Sequence, residues 1–497
     1  MMVQSPPIHS RRLGDLLAGF VPVEMELAAQ PVDNLSLDSR RVTPGSLFFG
    51  IEGRDRNGSD FAAQALASGA VAAVIEGKGG IKKTHDGFCL EVEDLKNKIG
   101  HIASRFFGNP SQSLCVIGVT GTNGKTSCSN LLAQALNLLG TKAAVIGTAG
   151  WGPPNQMLPS VLTTPDPITL QSQLHALAAQ GTETVCLEVS SHALDQGRIE
   201  GTQFNAALFT NLSRDHLDYH ESMESYEQTK LLLFQRKELK SVVINVSDPA
   251  GARFTKREIA GELLTYGRDP SADVYPLSNR LTDRGLMLTI ATPKGEVAFC
   301  SALRGSFNVE NLTAVTAMLL AKGYHADQIG EVMSKLQPVP GRLIFCCRSH
   351  KKQPTVAIDY AHSPEALEAL LTTCRDMVIG KLWCVFGCGG ERDSGKRSEM
   401  GGLASRLADH VVLTNDNPRG ETPESIVAQI RSGMDRPADA EILDRREAIA
   451  FAIRSADAKD LIIIAGKGHE TFQVMGDQTL PFDDLSVAEE ILGAIPC

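Results

Sequence analysis

The sequence predicts an α/β protein built on parallel sheets and divided into three regions. Three observations carry that expectation. Short Val- and Ile-rich runs alternate with amphipathic stretches almost throughout, the pattern of βαβ units. A chain of 497 residues is too long for one ordinary core. Two breaks rich in Pro, Gly, Asn and Ser, "FFGNPSQS" and "LQPVPGR", divide it into regions 1–108, 109–338 and 339–497. The sequence holds no internal repeat and no low-complexity segment.

Composition narrows the function classes. The chain is 42% hydrophobic and 21% charged, and its apolar runs fall well short of a membrane span, so no membrane insertion is expected. The first twenty residues lack the apolar core and small-residue cleavage site of a signal peptide. A formal charge of −10 argues against a nucleic-acid partner, which would favour a basic face. The eleven cysteines include no zinc-type pairs: Cys384 and Cys388 are too isolated to make a site, and Cys115 and Cys186 sit in apolar runs as small core residues. A reducing cytoplasm is the expected location.

In the first region "DFAAQALASGAVAAVIEG" reads as helix, glycine turn and strand, preceded by "LSLDSRRVTPGSLFFGI". The second region opens on "CVIGVTGTNGKTSCSNLLAQALNLLG", which reads strand, glycine loop, helix. Backbone N–H groups in such a loop, with the helix N-terminus, surround phosphate oxygens. Lys125 would reach the outer phosphates and the Thr126 hydroxyl would ligate Mg²⁺. Strict P-loop spacing wants glycine where Val119 stands; Gly118 and Gly121 flank that position instead. ATP binding is the expectation. ATP chemistry needs a cation, because the metal neutralises charge on the transferring group. Glu188 ends the apolar run "TVCLEV" and His216 follows "NAALFTNLSRD". A carboxylate is a natural Mg²⁺ ligand; a histidine is less so, and on its own is more often a loop or core residue.

The third region has four apolar runs, "TVAIDYAH", "LWCVFGCGGERD", "HVVLTNDNPRGE" and "LIIIAGKGHE", each ending in a polar cluster. In an open parallel sheet, ligands bind outside the carboxyl ends of the strands. Four such strands would deliver Asp359, Arg392, Asp416, Arg419 and Glu470 to one edge. Any one cluster could be an ordinary surface loop; four together favour a site.

Several motifs coincide with one family. "GTNGKT", "EVSSHALDQGR", "FTNLSRDHLDYH", "GSFNVENLTA", "PVPGR", "DYAHSPEAL", "GCGGERD", "DNPR" and "GKGHE", with "LDSR" near the start, resemble the Mur ligases in the family's order over residues 37–470. The resemblance implies three α/β domains: one for a uridine nucleotide, a central P-loop ATPase on a parallel sheet, and a C-terminal Rossmann-like domain for an incoming amino acid. It implies an ATP-dependent ligase of peptidoglycan precursor synthesis, expected to be a monomer, with UDP-N-acetylmuramoyl-L-Ala-D-Glu as acyl donor. The donor carboxylate would become an acyl phosphate that an amine displaces, with catalysis mainly by positioning and charge stabilisation.

By the same resemblance, Gly121, Thr122, Asn123, Gly124, Lys125, Thr126 and Ser127 hold the ATP phosphates, and Glu188 and His216 join Thr126 as Mg²⁺ ligands. Asn308 and Asn311 lie near the adenine, and Arg342 and Asp359 engage the nucleotide from the third domain. Such contacts would couple ATP binding to closure and exclude water. Leu37 and Ser39 resemble nucleotide-sugar contacts; Thr163, Thr164, Ser190, Gln196 and Arg198 resemble contacts to the muramoyl dipeptide. Leu162 precedes the two threonines, where an asparagine in the family would mean a contact missing here. Lys230 reads by itself as a solvated lysine on a polar helix face; the family match makes it an N6-carboxylysine supporting a second Mg²⁺.

In the family "DNPR" accompanies meso-diaminopimelate, and lysine-adding relatives depart from it. Diaminopimelate ends in ammonium plus carboxylate, lysine in ammonium alone. A guanidinium reads the extra carboxylate through its planar fork, and Arg419 and Arg392 supply two. Asp416 and Glu470 suit an ammonium, Pro418 would hold the turn rigid, and Asn417 and Gly466 complete the two motifs. Leaving such an arginine unpaired would cost a lysine substrate roughly 10³-fold or more. The nearest alternative is the lysine-adding ligase of the same family. The D-alanyl-D-alanine-adding ligase and folylpolyglutamate synthase are further off, and an idle P-loop binder would not need Lys125, Glu188, His216 and Asp359 together.

Overall fold

The computed structural model describes residues 10–53, 57–282, 285–346, 350 and 352–493. The architecture is α/β, with three sheets that are mainly parallel where their pairing is described. The first has five strands in the order Asn34–Ser36, Ser46–Gly50, Ala72–Glu76, Phe88–Val92 and Gly80–Lys83, the last one antiparallel. Leu47, Phe49, Val74, Leu90 and Val92 bury one face of it, and Phe48, Ala73 and Cys89 the other. That alternation is the period-two pattern of a strand read from both sides.

The central sheet has seven strands, ordered Gly150–Gly152, Ala143–Gly147, Thr184–Glu188, Cys115–Thr120, Ala206–Phe209, Ser241–Asn245 and Glu262–Tyr266. Thr184–Glu188 runs parallel to both of its neighbours. One element departs from the βαβ pattern. Tyr275–Thr282, Gly285–Thr292 and Gly295–Ser301 form a three-stranded antiparallel sheet in which Leu286, Leu288 and Ile290 are buried while Met287 is exposed.

The last sheet has six strands, in the order Ile344–Phe345, Thr355–Asp359, Leu461–Ala465, Leu382–Phe386, His410–Leu413 and Ala440–Glu441, parallel except for the first. Ala357, Cys384, Phe386, Leu413 and Ile463 face the helices Pro364–Met377, Gly395–Leu407 and Pro423–Arg431. Val356, Val385, Val412 and Ile464 face Arg445–Ser455 and Asp484–Ile491. With helices on both faces, these strands read as continuous apolar runs. Helix starts are locally encoded: Ser363 caps the amide of Ala366 and is followed by Pro364, and Asp166 caps Ile168 and Thr169 ahead of Pro167.

By contacts the chain falls into two compact units. One comprises Met1–Thr120, Gly140–Ala207 and Thr229–Ser241; the other comprises Gly121–Leu139, Leu208–Gln228 and Val242–Cys497.

Candidate functional site

The second unit contains the glycine loop that leads into the helix Lys125–Leu138. Gly124 takes a left-handed N-cap at φ +85°, and a Cβ there would lie 2.8 Å from Asn311 Oδ1. A Cβ on Gly121 would lie 1.9 Å from Thr210 Oγ1. Both positions therefore need glycine. The loop is held from the "TNLS" segment: Asn123 O accepts from Thr210 Oγ1 at 2.6 Å and Asn211 Nδ2 at 3.1 Å, and Asn123 N donates to Asn211 Oδ1 at 2.8 Å. Thr122 Oγ1 accepts from Ser213 N at 3.0 Å and lies 3.2 Å from the Tyr226 hydroxyl. The Lys125 ammonium donates to Gly121 O and Thr122 O at 2.9 and 2.8 Å, which keeps the cation over the loop.

Thr126 and Ser127 are buried at the helix start, and the Thr126 hydroxyl accepts from Arg342 Nη2 at 3.0 Å. The Arg342 guanidinium lies 4.6 Å from the Tyr360 ring centre, and its buried Nε has no partner among the described residues. Asp359, also buried, accepts from Leu343 N and Ala361 N, both at 2.8 Å, and so fixes the segment after Arg342. Burial pushes its carboxyl above the ordinary value, against the opposing Arg342 charge. Asn311 donates to Asn308 Oδ1 at 3.1 Å, and Asn308 donates to Arg304 O at 2.7 Å. The sequence expectations for Lys125, Thr126, Arg342, Asp359, Asn308 and Asn311 thus meet in one folded unit.

His216 stands at φ +56° beside a carboxylate the sequence reading did not single out. Asp215 is buried, and its Oδ1 accepts from Lys396 Nζ at 3.2 Å and from His216 N at 3.0 Å. Its Oδ2 lies 3.6 Å from His216 Nε2 and 3.8 Å from His362 Nε2. Burial alone would raise the Asp215 carboxyl; Lys396 and the two imidazoles hold it well below the usual range. Burial and Lys396 push the His362 imidazole down to about 4. An acid next to a histidine in "SRDH" was the available signal; the lysine and second histidine come from distant turns of sequence.

At the carboxyl edge of the last sheet the four expected clusters do meet. Arg419 Nη1 donates to Gly390 O at 2.8 Å, and Gly390 N donates to Asn417 O at 2.9 Å, joining "GGERD" to "DNPR". Arg392 lies close enough to add to the effect of burial, and together they lower the Arg419 guanidinium. Asp416 is buried and its carboxyl is raised by that burial, with Lys467 the leading opposing charge. A Cβ on Gly466, at φ +116°, would lie 2.5 Å from Asp416 Oδ2. Asn417 Nδ2 donates to Glu470 Oε2 at 2.9 Å.

Arg419 itself sits at φ +51°, a conformation proline in the preceding position does not by itself impose. The hairpin of Phe472–Met475 and Gln478–Pro481 holds it: Arg419 N donates to Val474 O at 3.1 Å and Gly476 N donates to Arg419 O at 2.8 Å. Gln473 Nε2 donates to Asp416 O at 2.7 Å and Val474 N to Asn417 Oδ1 at 2.9 Å. From below, the fully buried pair Arg445–Asp484 completes the frame, with Arg445 donating to Asn415 O and Ala465 O at 3.1 and 3.0 Å. Glu421 serves the neighbouring loop: both its oxygens accept from Arg397, at 2.7 and 2.8 Å, and Arg397 also donates to Gly389 O. Gln473, Arg445 and Arg397 escaped the sequence reading because nothing local distinguishes them from surface or helix residues.

The first unit carries the remaining candidates. Glu188 is fully buried, with Oε1 accepting from Thr148 N at 2.9 Å and Oε2 from Thr148 Oγ1 at 3.0 Å. A Cβ on Gly147 would lie 2.1 Å from Glu188 Oε1, so glycine leaves the room this carboxylate occupies. Thr163 Oγ1 lies 3.0 Å from Thr148 Oγ1. Thr164 Oγ1 donates to Glu188 O at 2.7 Å and accepts from Ser190 N at 3.0 Å. Arg198 donates to Thr164 O at 3.0 Å and to Gln196 Oε1 at 2.9 Å. Ser39 donates to Gln64 at 3.0 Å and, with Leu37, belongs to the first sheet's surroundings. Leu162 is exposed. Lys230 is only 1% exposed, which corrects its reading as a solvated helix lysine. Among the described residues no three His, Cys, Asp or Glu side chains form a ready-made metal cluster. A single buried carboxylate oxygen set such as Glu188 fits Mg²⁺, which keeps waters and phosphate oxygens as ligands.

Comparison with known proteins gives the lineage. The family description "Mur ligase middle domain" matches residues 119–319, "Mur ligase, glutamate ligase domain" residues 341–468, and "Mur ligase family, catalytic domain" residues 31–106. A relative from Chromobacterium violaceum, named UDP-N-acetylmuramoyl-L-alanyl-D-glutamate–2,6-diaminopimelate ligase, is 43% identical over 96% of this chain and 98% of its own length. A relative of the same name from Ectopseudomonas mendocina is 44% identical over 93% of this chain and 95% of its own. A solved structure bearing that name is 35% identical, with a TM-score of 0.68 over 97% of this chain and 99% of its own. A folylpolyglutamate synthase from Mycobacterium tuberculosis, 18% identical with a TM-score of 0.62, covers 80% of this chain and shares the fold. The chain belongs to the Mur ligase family.

Proposed function

We propose that this protein is the ATP-dependent ligase that joins meso-2,6-diaminopimelate to UDP-N-acetylmuramoyl-L-Ala-D-Glu in peptidoglycan precursor synthesis. The choice of amino acid rests on one observation: Arg419 and Arg392 stand at the sheet edge that also holds Asp416 and Glu470. A substrate end with both ammonium and carboxylate matches such a mixed set, whereas a lone ammonium leaves the guanidiniums unpaired.

The reaction follows from the chemistry of acyl transfer. The donor carboxylate attacks the γ-phosphorus of ATP, ADP leaves, and an acyl phosphate remains. The amine of the amino acid adds to the acyl carbon, a tetrahedral intermediate forms, and phosphate leaves as the nitrogen loses its proton. Gly121 to Ser127 hold the phosphates, with Lys125 moving from the loop carbonyls to the transferring group. Asn308 and Asn311 take the adenine end, and Arg342 and Asp359 engage the nucleotide. Thr126, Glu188 and His216 would ligate magnesium, and Lys230, as an N6-carboxylysine, would support a second ion. Magnesium, when bound, neutralises charge on the transferring phosphoryl group. Leu37 and Ser39 contact the nucleotide sugar, and Thr163, Thr164, Ser190, Gln196 and Arg198 contact the rest of the donor.

The test is product formation by mass spectrometry with ATP, Mg²⁺ and the UDP-muramoyl dipeptide, offering meso-diaminopimelate or L-lysine in separate reactions. The expected result is product with diaminopimelate alone. Product with lysine in comparable yield would keep the ligase and discard the reading of Arg419. No product in either reaction would overturn the proposal.

A further inference from the structure

The helix Gly395–Leu407 starts against its own dipole. Ser394 at its N-cap makes no side-chain cap, its first turn holds no acid, and its second and third residues are Lys396 and Arg397. Cations at the positive end of a helix are locally unfavourable, so this start is held from elsewhere in the chain. Arg397 is matched by Glu421 and also donates to Gly389 O at 3.1 Å, which ties down the beginning of the "GGERD" loop. Lys396 is buried and donates to Asp215 Oδ1 at 3.2 Å, across 181 residues of sequence, which ties down its end. Arg392 lies between the two ties.

Asp215 belongs to the turn that carries His216. Its Oδ1 also accepts from His216 N at 3.0 Å, so one oxygen serves both that turn and the Lys396 ammonium. The partners of its Oδ2 are imidazoles, His216 at 3.6 Å and His362 at 3.8 Å. The next residues make a second contact of the same kind. Arg214 Nε lies 3.6 Å from Asp393 Oδ2, and a Cβ on Gly395 would lie 2.5 Å from Arg214 Nη2. The loop of Arg392 thus rests on the turn of His216 through two adjacent ion pairs, of which Asp215–Lys396 is the buried one. A buried ion pair adds little net stability, because desolvation offsets the attraction; its better-attested use is to select one register over others.

We propose that Asp215 and Lys396 are positioning residues for the amino-acid subsite, a pair that seats the Arg392 loop against the His216 turn. The inference rests on the proposed function, in which Arg392 meets the amino acid and His216 a magnesium ion. Neither residue of the pair has to touch a substrate; each acts through the segment it holds. The pair keeps the group that takes the far end of the amino acid at a fixed distance from the turn near which its amine meets the acyl phosphate.

The experiment measures KM for meso-diaminopimelate and for ATP in the parent, in Lys396→Met and in the double variant Asp215→Asn/Lys396→Met. Lys396→Met is expected to raise the KM for diaminopimelate about tenfold or more, the scale of a modest misplacement of a positioning group, with the KM for ATP within about twofold of the parent. The double variant leaves no uncompensated buried charge. Its KM for diaminopimelate is expected to be no higher than that of Lys396→Met, because the two residues act as one unit. An unchanged KM for diaminopimelate in Lys396→Met, or in the double variant should the single one not fold, overturns the inference. So does an equal rise in both KM values, the mark of a merely structural role, and so does a double variant well above Lys396→Met. A parent that makes no product with diaminopimelate overturns the proposed function and the inference with it; with an active parent, the other outcomes overturn the inference alone.

Discussion

Arg419 shows what a single residue needs in order to act. Its side chain is half-buried, its backbone is at φ +51°, and its guanidinium is anchored on Gly390 O while facing the charge of Arg392. A non-glycine residue in that conformation persists only where its surroundings over-determine it. Here two hydrogen bonds to the hairpin backbone do so. Arg419→Ala removes the fork but none of the backbone bonds, so the loop should keep its course. The KM for diaminopimelate is expected to rise about 10²-fold, the scale of a lost charge-assisted bidentate contact, with the KM for ATP within about twofold of the parent. Steady-state kinetics with each substrate varied in turn checks this; equal rises in both would count against it. Arg392, Asp416, Arg419 and Glu470 were legible in the sequence because each follows an apolar run at the end of a strand. Lys467 was not, since a lysine beside two glycines looks like any loop cation.

At the scale of elements, the polar segments after the last sheet's strands are bound to one another rather than to solvent. Arg397 and Glu421 join the helix Gly395–Leu407 to the loop before the helix Pro423–Arg431. The Arg397 guanidinium holds the Glu421 carboxyl down to about 2, from an ordinary 4.5. A carboxyl depressed in the folded state stabilises the protein above its unfolded value, and that contribution disappears as pH falls from 4.5 toward 2. Glu421 is partly exposed, so solvent screening keeps the effect modest. Glu421→Gln is expected to lower the unfolding midpoint by about 2–4 °C near pH 7, and by much less near pH 3. Thermal denaturation followed at both pH values measures it, and a deficit that does not shrink in acid would contradict it. The strands themselves were readable from period and composition. The antiparallel sheet of Tyr275–Ser301 was not, because its half-exposed alternation is a weaker signal than a fully apolar run.

At the scale of the whole molecule, residues of the second unit drawn from far apart in the chain meet at the glycine loop. Arg342 reaches Thr126, Ser363 Oγ lies 3.4 Å from Asn123 Oδ1, and Lys396 reaches Asp215. These contacts link the glycine loop to the part of the chain that carries the strand-end clusters of the last sheet. Arg342→Ala should therefore weaken nucleotide binding. A charged hydrogen bond of this kind is worth about 1.5–3 kcal/mol, which corresponds to a Kd for ADP raised roughly 10- to 100-fold. The stabilisation of the protein by saturating ADP should shrink accordingly when thermal unfolding is followed with and without nucleotide. An unchanged ADP-induced shift would contradict the assignment of Arg342.

The sequence by itself determined the parallel α/β class, the glycine loop, the four strand-end clusters and the family, because strands, turns and phosphate loops are encoded in residues close together in the chain. Only the tertiary structure decided the electrostatics. It buried Lys230, put Lys396 and His362 around Asp215, set Lys467 against Glu470, and matched Arg445 with Asp484 and Arg397 with Glu421. Most of these pairings span tens to hundreds of residues, and the weight of a charge depends on its burial and its partners, neither of which a linear pattern contains.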